Sequence, residues 1–352
     1  MTEHTSAVIH HHQPTGVHML NSIRNVVCGA AAILATSALI MPTFASAVTL
    51  DLSEVLPESN YGTQNVKKFA EEVEKATDGN VKINVHAGGA LGFKGPEHLR
   101  AVRDGLIPMA DVLGSQQIGD EALFGLENVP FLVSSMADLK VLHKFWRPEI
   151  EKVAAKYNQK FLYYVPSPKQ YMYLKVNVDT ADKLEDIKIR GADKTTVDTM
   201  KAIGMAGVQI PWGELIPALA SGRVEGVATS ATSGVDGKFW EFLKYIYPSN
   251  HTWGSNIVSI NLDTWNKLSA DDQKAIEDTA QKLEPVFWDV ARDKDLESVA
   301  KMQENGMEVV DIPTEMFADI QQRTKVLLEE YLVRVPEAKS IVDQYLAELG
   351  RE

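Results

Sequence analysis

Lys188 and Arg190 alternate about Ile189 in the run Lys183-Leu184-Glu185-Asp186-Ile187-Lys188-Ile189-Arg190-Gly191-Ala192, a short amphipathic stretch that ends in a strand. Successive side chains of a strand point to opposite faces, so with Ile189 on the core both cations share the other face. Such a pair is either a solvated surface charge pair or the anchor of an anion site. The turn Thr229-Ser230-Ala231-Thr232-Ser233-Gly234 follows a second strand. It is either a plain loop or a set of hydroxyl donors for a ligand's oxygens. Trp212, Trp240, Trp253, Phe239, Tyr171 and Tyr173 supply aromatic surface. Most of these belong to a core, whereas Trp212 and Trp253 sit at turns, where a cleft can use them.

Catalytic chemistry finds no comparable foothold. No H-E-x-x-H, Walker loop, EF-hand loop or G-x-S-x-G occurs. His86, His98, His143 and His251 have no metal-ligand spacing, and the cluster Gly88-Gly89-Ala90-Leu91-Gly92 is not a dinucleotide fingerprint. A non-enzyme without cofactor or metal is expected. The 35 Lys and Arg face 48 Asp and Glu, a net charge of -13, which disfavours a nucleic-acid surface and adhesion to an anionic membrane. At 45% hydrophobic and 24% charged over 352 residues, the chain has the composition of a globular protein of two domains.

The first 47 residues read as an address. Asn25 to Met41 is apolar and uncharged, preceded by Arg24 and followed by Pro42 and Ala45-Ser46-Ala47. A basic flank, a short apolar run and an A-x-A site predict a secretory signal cleaved after Ala47. The alternative, a membrane anchor, needs about 20 apolar residues, more than this run has. Cys28, the sole cysteine, stands near the start of the run and not at the end, where a lipidated cysteine would be. His10-His11-His12 lies upstream, and either Met1 or Met19 is the start. An acidic exported chain without cysteine after Ala47 fits a bacterial periplasm or an extracellular space, and the periplasm is the location expected.

The elements that must position these residues begin with alternation at Val48–Val55. A helical stripe of Val66, Phe69, Ala70, Val73 and Ala76 and a second alternation at Val81–Val85 follow. Together they predict a βαβ unit with a parallel sheet. Further strands are expected at Met109–Leu113, Lys160–Val165, Tyr171–Val176, Lys188–Arg190, Gly207–Ile210 and Val224–Ala228. Leu139–Trp146 and Pro148–Tyr157 are expected as two helical pieces separated at Pro148, and Pro217 should distort Trp212–Gly222. Ser269 with Asp272 starts, and Asn305-Gly306 stops, a helix of about 35 residues with Pro285 inside it. At 1.5 Å per residue it spans about 50 Å, longer than one domain, so it should run through two interleaved lobes. Met316–Tyr331 and Glu337–Leu349 close the chain as helices.

In this order, several short stretches resemble the substrate-binding proteins of tripartite ATP-independent periplasmic (TRAP) transporters, the family of the C4-dicarboxylate receptor. They are Phe69-Ala70-Glu71-Glu72-Val73 with Thr77 to Ile83, Ala90-Leu91-Gly92 with Glu97 to Gly105, and Asp186 to Arg190. Pro211-Trp212-Gly213-Glu214 through Val224-Glu225-Gly226 and Trp265 to Ser269 complete the series. The resemblance covers essentially the whole chain after Ala47. It implies a two-lobe α/β periplasmic-binding-protein fold with hinge strands and a shared long helix, and a carboxylate held between the lobes by Arg190. Where many members have asparagine this chain has Thr229-Ser230, and where sialic-acid-type members carry a second arginine it offers Lys175. The expected ligand set is Arg190, Trp212, Thr229 and Ser230, joined by Trp253, Tyr61, Tyr171 and Lys175. Lobe I is expected over 48–167 and 256–295, and lobe II over 168–255 and 296–352. The implied partners are a small organic acid and the TRAP membrane subunits, with the receptor a monomer. An exported enzyme or a chemosensory ligand-binding module on a similar fold is the alternative.

Overall fold

The structure, a computed structural model, describes residues 47–351; the expected signal run, Cys28 and the histidine tract lie outside them. Two sheets organise the chain. The first contains β1 (Val48–Ser53), β2 (Val81–His86), β3 (Met109–Leu113), β4 (Gln159–Pro166) and β10 (Ser255–Asn261), in the order β2-β1-β3-β10-β4. β1 pairs in parallel with β2 and β3, and β10 runs antiparallel between β3 and β4. The crossover from β1 to β2 is the helix Tyr61–Ala76. Its N-terminus is capped by the Asn60 side chain, which accepts from the Gly62 N–H, and its Val66, Phe69, Ala70 and Val73 are buried. The opening βαβ unit is therefore present.

The second sheet contains β5 (Gln170–Leu174), β6 (Lys188–Gly191), β7 (Ala206–Gln209), β8 (Gly226–Ser230), β9 (Tyr245–Tyr247) and β11 (Glu308–Val309), in the order β11-β9-β5-β8-β6-β7. The chain passes between the sheets directly from β4 to β5 and again from β9 to β10. The helix Ala270–Glu304 makes a third passage, 35 residues long and N-capped by Ser269. Ile276, Ala280, Leu283, Phe287 and Ala291, spaced three or four apart, pack into the core under the first sheet. About three turns on, the same helix inserts Met302 into the core of the second sheet. The long helix thus belongs to both lobes.

Three expectations need correction. Met136–Lys156 is one helix with Pro148 inside it. Proline removes one backbone donor at a cost of about 3 kcal/mol, and burial of Leu139, Leu142, Trp146, Ile150 and Val153 along one stripe outweighs it. The helix expected over Met316–Tyr331 is divided at Lys325 into Thr314–Thr324 and Val326–Arg334. The division falls where the chain changes lobe. Met316 and Ile320 pack under the second sheet, but Tyr331, Ala338, Ile341, Val342 and Tyr345 are buried against Leu139, Leu142 and Trp146 of the first lobe. Residues 326–348 therefore do not pack in lobe II, and Trp253 also joins the core of the first lobe. An amphipathic stripe predicts that a helix has a buried face and is silent on which surface receives it.

Tyr171 ties β5 to the long helix, donating its hydroxyl to Asp295 Oδ2 at 2.8 Å. Asp295 is buried, and Oδ1 has no hydrogen-bond partner among the described residues. Burial raises its carboxyl from 3.8 to about 6, opposed by the Tyr171 hydrogen bond and by Lys169. Between those two values the folded state holds a proton that the unfolded chain has released, so stability falls as pH rises from about 4 to about 6. At about 1.4 kcal/mol per unit the loss from this group reaches about 3 kcal/mol. Asp295→Asn is expected to raise the unfolding midpoint in urea at pH 8 and to change it little at pH 4. Equal effects at both values would exclude this account.

Candidate functional site

A cavity of about 100 Å³ lies between the two sheets, enclosed by residues of both lobes. Its walls are largely the ends and exits of strands: Val55 after β1, Ser115 and Gln116 after β3, Ala192 and Asp193 after β6, and Thr229 and Ser230 at the end of β8. In α/β sheets the carboxyl ends of strands are where backbone groups and following turns converge on a ligand. That rule identifies Ser115, Gln116 and Asp193, which residue type and spacing did not single out.

Arg190 lines this cavity and is almost fully buried. Lys188, two residues back on the same strand, is exposed. The guanidinium is oriented by its Nε, which donates to the Ile210 carbonyl at 2.8 Å. Its terminal nitrogens make no hydrogen bond or ion pair to any other described residue, which leaves both arms of the fork for a ligand. Burial holds this arginine down at about 10, below its ordinary 12.5, with Asp193 opposing the shift. Asp193 is itself committed to capping the helix Lys194–Ala202, accepting from the Thr196 N–H at 2.8 Å and the Thr196 hydroxyl at 3.1 Å. The cleft therefore holds a desolvated, pre-oriented and underused cation. That is a strong attractor for an anion.

Trp212, Thr229, Ser230, Trp253 and Tyr61 line the same cavity. Ser230 Oγ caps the helix Ala231–Asp236 through the Ser233 N–H at 3.3 Å and bonds the hydroxyls of Thr232 and Ser233, so it is held by its own loop. Trp253 Nε1 is buried with no partner among the described residues. Tyr61 donates its hydroxyl to the Pro166 carbonyl at 3.2 Å. Two expected residues are elsewhere. Tyr171 points to Asp295, as described, and Lys175 is exposed just beyond the far end of β5. Strand alternation explains Tyr171: Gln170, its neighbour, faces the cavity instead. The carboxamides of Asn60, Gln116, Asn128 and Asn256 complete a wall rich in neutral donors and acceptors. Nothing local marks these four in the sequence, although Asn60 stands in a recognisable turn.

Contacts across the cleft show a closed arrangement. Gln116 Nε2 donates to the Ala192 carbonyl at 3.2 Å, Lys94 pairs with Glu214 at 2.8 Å, and Asn60 and Ser59 both donate to Asp236. The Asp236 carboxyl, raised by burial and lowered by those two donors, sits where the lobes meet.

The sequence profile of the bacterial extracellular solute-binding proteins of family 7, DctP, matches residues 52–334. The chain belongs to this family. It is similar to the C4-dicarboxylate-binding periplasmic protein DctP of Rhodobacter capsulatus, with 24% identity over 307 residues, 85% of this chain and 88% of that one. Its fold is similar to that of DctP7 of Bordetella pertussis, an extracytoplasmic solute receptor binding pyroglutamic acid. The TM-score is 0.82 at 28% identity, over 85% of this chain and 99% of that one. A marine metagenome TRAP solute-binding protein specific for pyroglutamate matches with the same TM-score, identity and coverage. This DctP-family protein is thus an extracytoplasmic solute receptor of the TRAP type, and these relatives are receptors and not enzymes.

Proposed function

We propose that the receptor captures a small monocarboxylate whose remaining polar groups are neutral, of the pyroglutamate type, and delivers it as a monomer to TRAP membrane subunits in the periplasm. The observation that carries this reading is the charge inventory of the cavity. Arg190 is the single cation among its lining residues, and Asp193 is the single anion. One guanidinium fork matches one carboxylate. A second carboxylate would be desolvated without a counter-charge, at a cost of several kcal/mol. The rest of such a ligand would meet carboxamides, hydroxyls and the free Trp253 N–H. A lactam, with one carbonyl and one N–H, suits that set. The resemblance at 28% identity to two receptors described as binding pyroglutamate supports the same class.

Isothermal calorimetry with L-pyroglutamate, succinate and D-glucuronate tests the proposal, alongside mass spectrometry of ligand released from the purified protein. Pyroglutamate is expected to bind at least tenfold more tightly than the other two; tighter binding of succinate would overturn the monocarboxylate reading. Export is read from the mature N-terminus. Cleavage after Ala47 would leave Val48, whose N–H already bonds the Asn80 carbonyl at 2.7 Å, as the first residue of the sheet. N-terminal sequencing that finds residues 20–47 retained would sink that part.

A further inference from the structure

Under the cleft, within the first lobe, lies a smaller space of about 20 Å³ lined by Asn65, Asp111, Tyr163 and Asn256, among others. Asn256 borders both this space and the main cavity. The register explains how. Asn256 of β10 pairs with Leu113 of β3, and Val258 pairs with Asp111, so Asn256 and Asp111 are diagonal neighbours on one face of the sheet. Asn256 Nδ2 donates to Asp111 Oδ1 at 2.9 Å. Its Oδ1 lies on the other side, 3.4 Å from the hydroxyl of Ser167, which itself lines the main cavity.

We propose that Asp111 acts from behind the wall as a positioning residue: it locks the Asn256 carboxamide with its oxygen toward the cleft, which makes Asn256 a specificity-determining acceptor for a ligand N–H or O–H. A carboxylate only accepts hydrogen bonds, so the amide end that faces it must be NH₂. The carboxamide is planar and its two ends point apart, so the oxygen is directed away from Asp111. The Ser167 contact is long and leaves that oxygen acceptor capacity. Rotation would set the Asn256 oxygen against the Asp111 oxygen and present a donor to the ligand, which reverses what the cleft selects.

The lock requires Asp111 to remain an acceptor although it is buried, and Glu54 supplies the means. Glu54 is also buried, and its carboxyl and that of Asp111 lie close enough to influence each other's ionisation. Two adjacent carboxyls in an apolar layer cannot both ionise. Burial, and then the charge of Asp111, push the Glu54 carboxyl well up; burial also raises Asp111, but there the Asn256 hydrogen bond opposes it, so Asp111 is the one that ionises first. Glu54 Oε1 accepts from the Leu56 N–H at 2.7 Å, and its Oε2 is buried with no partner among the described residues, so Glu54 is the member of the pair that burial favours as the neutral acid. The remaining groups that face the pair are neutral donors or acceptors. His98 Nδ1–H donates to the Asp111 carbonyl at 2.7 Å, and its Nε2 accepts from the Ser53 hydroxyl at 3.1 Å. Burial lowers that imidazole and raises the phenols of Tyr61 and Tyr163.

The inference deepens the lactam reading of the cleft, and its test separates the two. Calorimetry compares L-pyroglutamate with its lactone analogue, in which oxygen replaces the ring N–H. Wild type is expected to prefer the lactam at least tenfold. Asp111→Asn, which frees Asn256 to rotate, is expected to reduce that preference to within about threefold, whereas Glu54→Gln, which is neutral like the protonated acid and leaves the Asp111–Asn256 bond in place, should retain it. An unchanged preference in Asp111→Asn overturns the lock. Carbon-13 carboxyl NMR of the ligand-free wild type at pH 7 is independent of the ligand: one protonated carboxyl in the pair and a slowly exchanging Asn256 side-chain amide are expected. Two ionised carboxylates, or a freely exchanging amide, overturn the proposal. If neither compound binds while NMR shows the lock, the lactam reading fails and the Asp111–Asn256 device stands.

Discussion

Arg190→Ala is expected to weaken binding of the carboxylate ligand by two to three decades and to leave the protein folded. Each charge-assisted hydrogen bond contributes on the order of 1.5–3 kcal/mol, so loss of both arms of the fork costs roughly 3–5 kcal/mol, at about 1.4 kcal/mol per decade. The ligand-free protein should tolerate the change. The substitution removes one hydrogen bond to the Ile210 carbonyl, but it also removes a buried cation that burial already holds down at about 10. The two effects oppose each other. Arg190→Lys should recover only part of the affinity, because an ammonium is a point charge without the planar fork. Calorimetry and thermal melts of both variants decide the matter. Binding by Arg190→Ala within threefold of wild type would reduce Arg190 to a structural side chain.

The converse is expected of Tyr345→Ala, which should cost stability and spare affinity. Tyr345 is fully buried where the last helix, Ala338–Glu348, packs on Met136–Lys156. Its hydroxyl donates to the Leu132 carbonyl at 2.9 Å. Truncation of a buried aromatic costs about 3–5 kcal/mol, which lowers the melting midpoint on the order of 10 °C for a chain of this size. Tyr345 is remote from the cleft lining, so the folded fraction should bind ligand within threefold of wild type. If the midpoint moves by less than about 2 °C, the C-terminal helices do not staple the first lobe. The pair of variants separates what holds the ligand from what holds the lobe.

Much of the architecture was legible because its determinants are local. The Ser269 cap, the Asn305-Gly306 stop and the unbroken 3.6 period between them specify the long helix whatever surrounds it. The helical stripe about Phe69 and the alternation within Val81–Val85 likewise give the βαβ opening, since period 2 and period 3.6 are properties of a few consecutive residues. Arg190 could be singled out by the same logic, as a cation placed opposite an apolar neighbour on a strand. Pro148 shows the limit of local reasoning: a proline that ends a helix in isolation is carried through when the stripe on either side of it is buried.

The composition and pattern of this chain determined its class, its acidic surface, its candidate export segment and the strands from which a carboxylate site is built. Each of these depends on residues near one another in the chain. The tertiary structure alone decided which faces meet. It sent Tyr171 to Asp295 and brought Gln170 to the cleft, left Lys175 in solvent, and returned residues 326–348 to the first lobe. It also gathered Asn60, Gln116, Asn128 and Asn256 around Arg190 from four separated segments. A carboxamide carries no charge and no spacing signal, so its role is set by what it points at, and in a closed cleft that is fixed by a fold that brings residues up to 196 positions apart, Asn60 and Asn256, to the same wall.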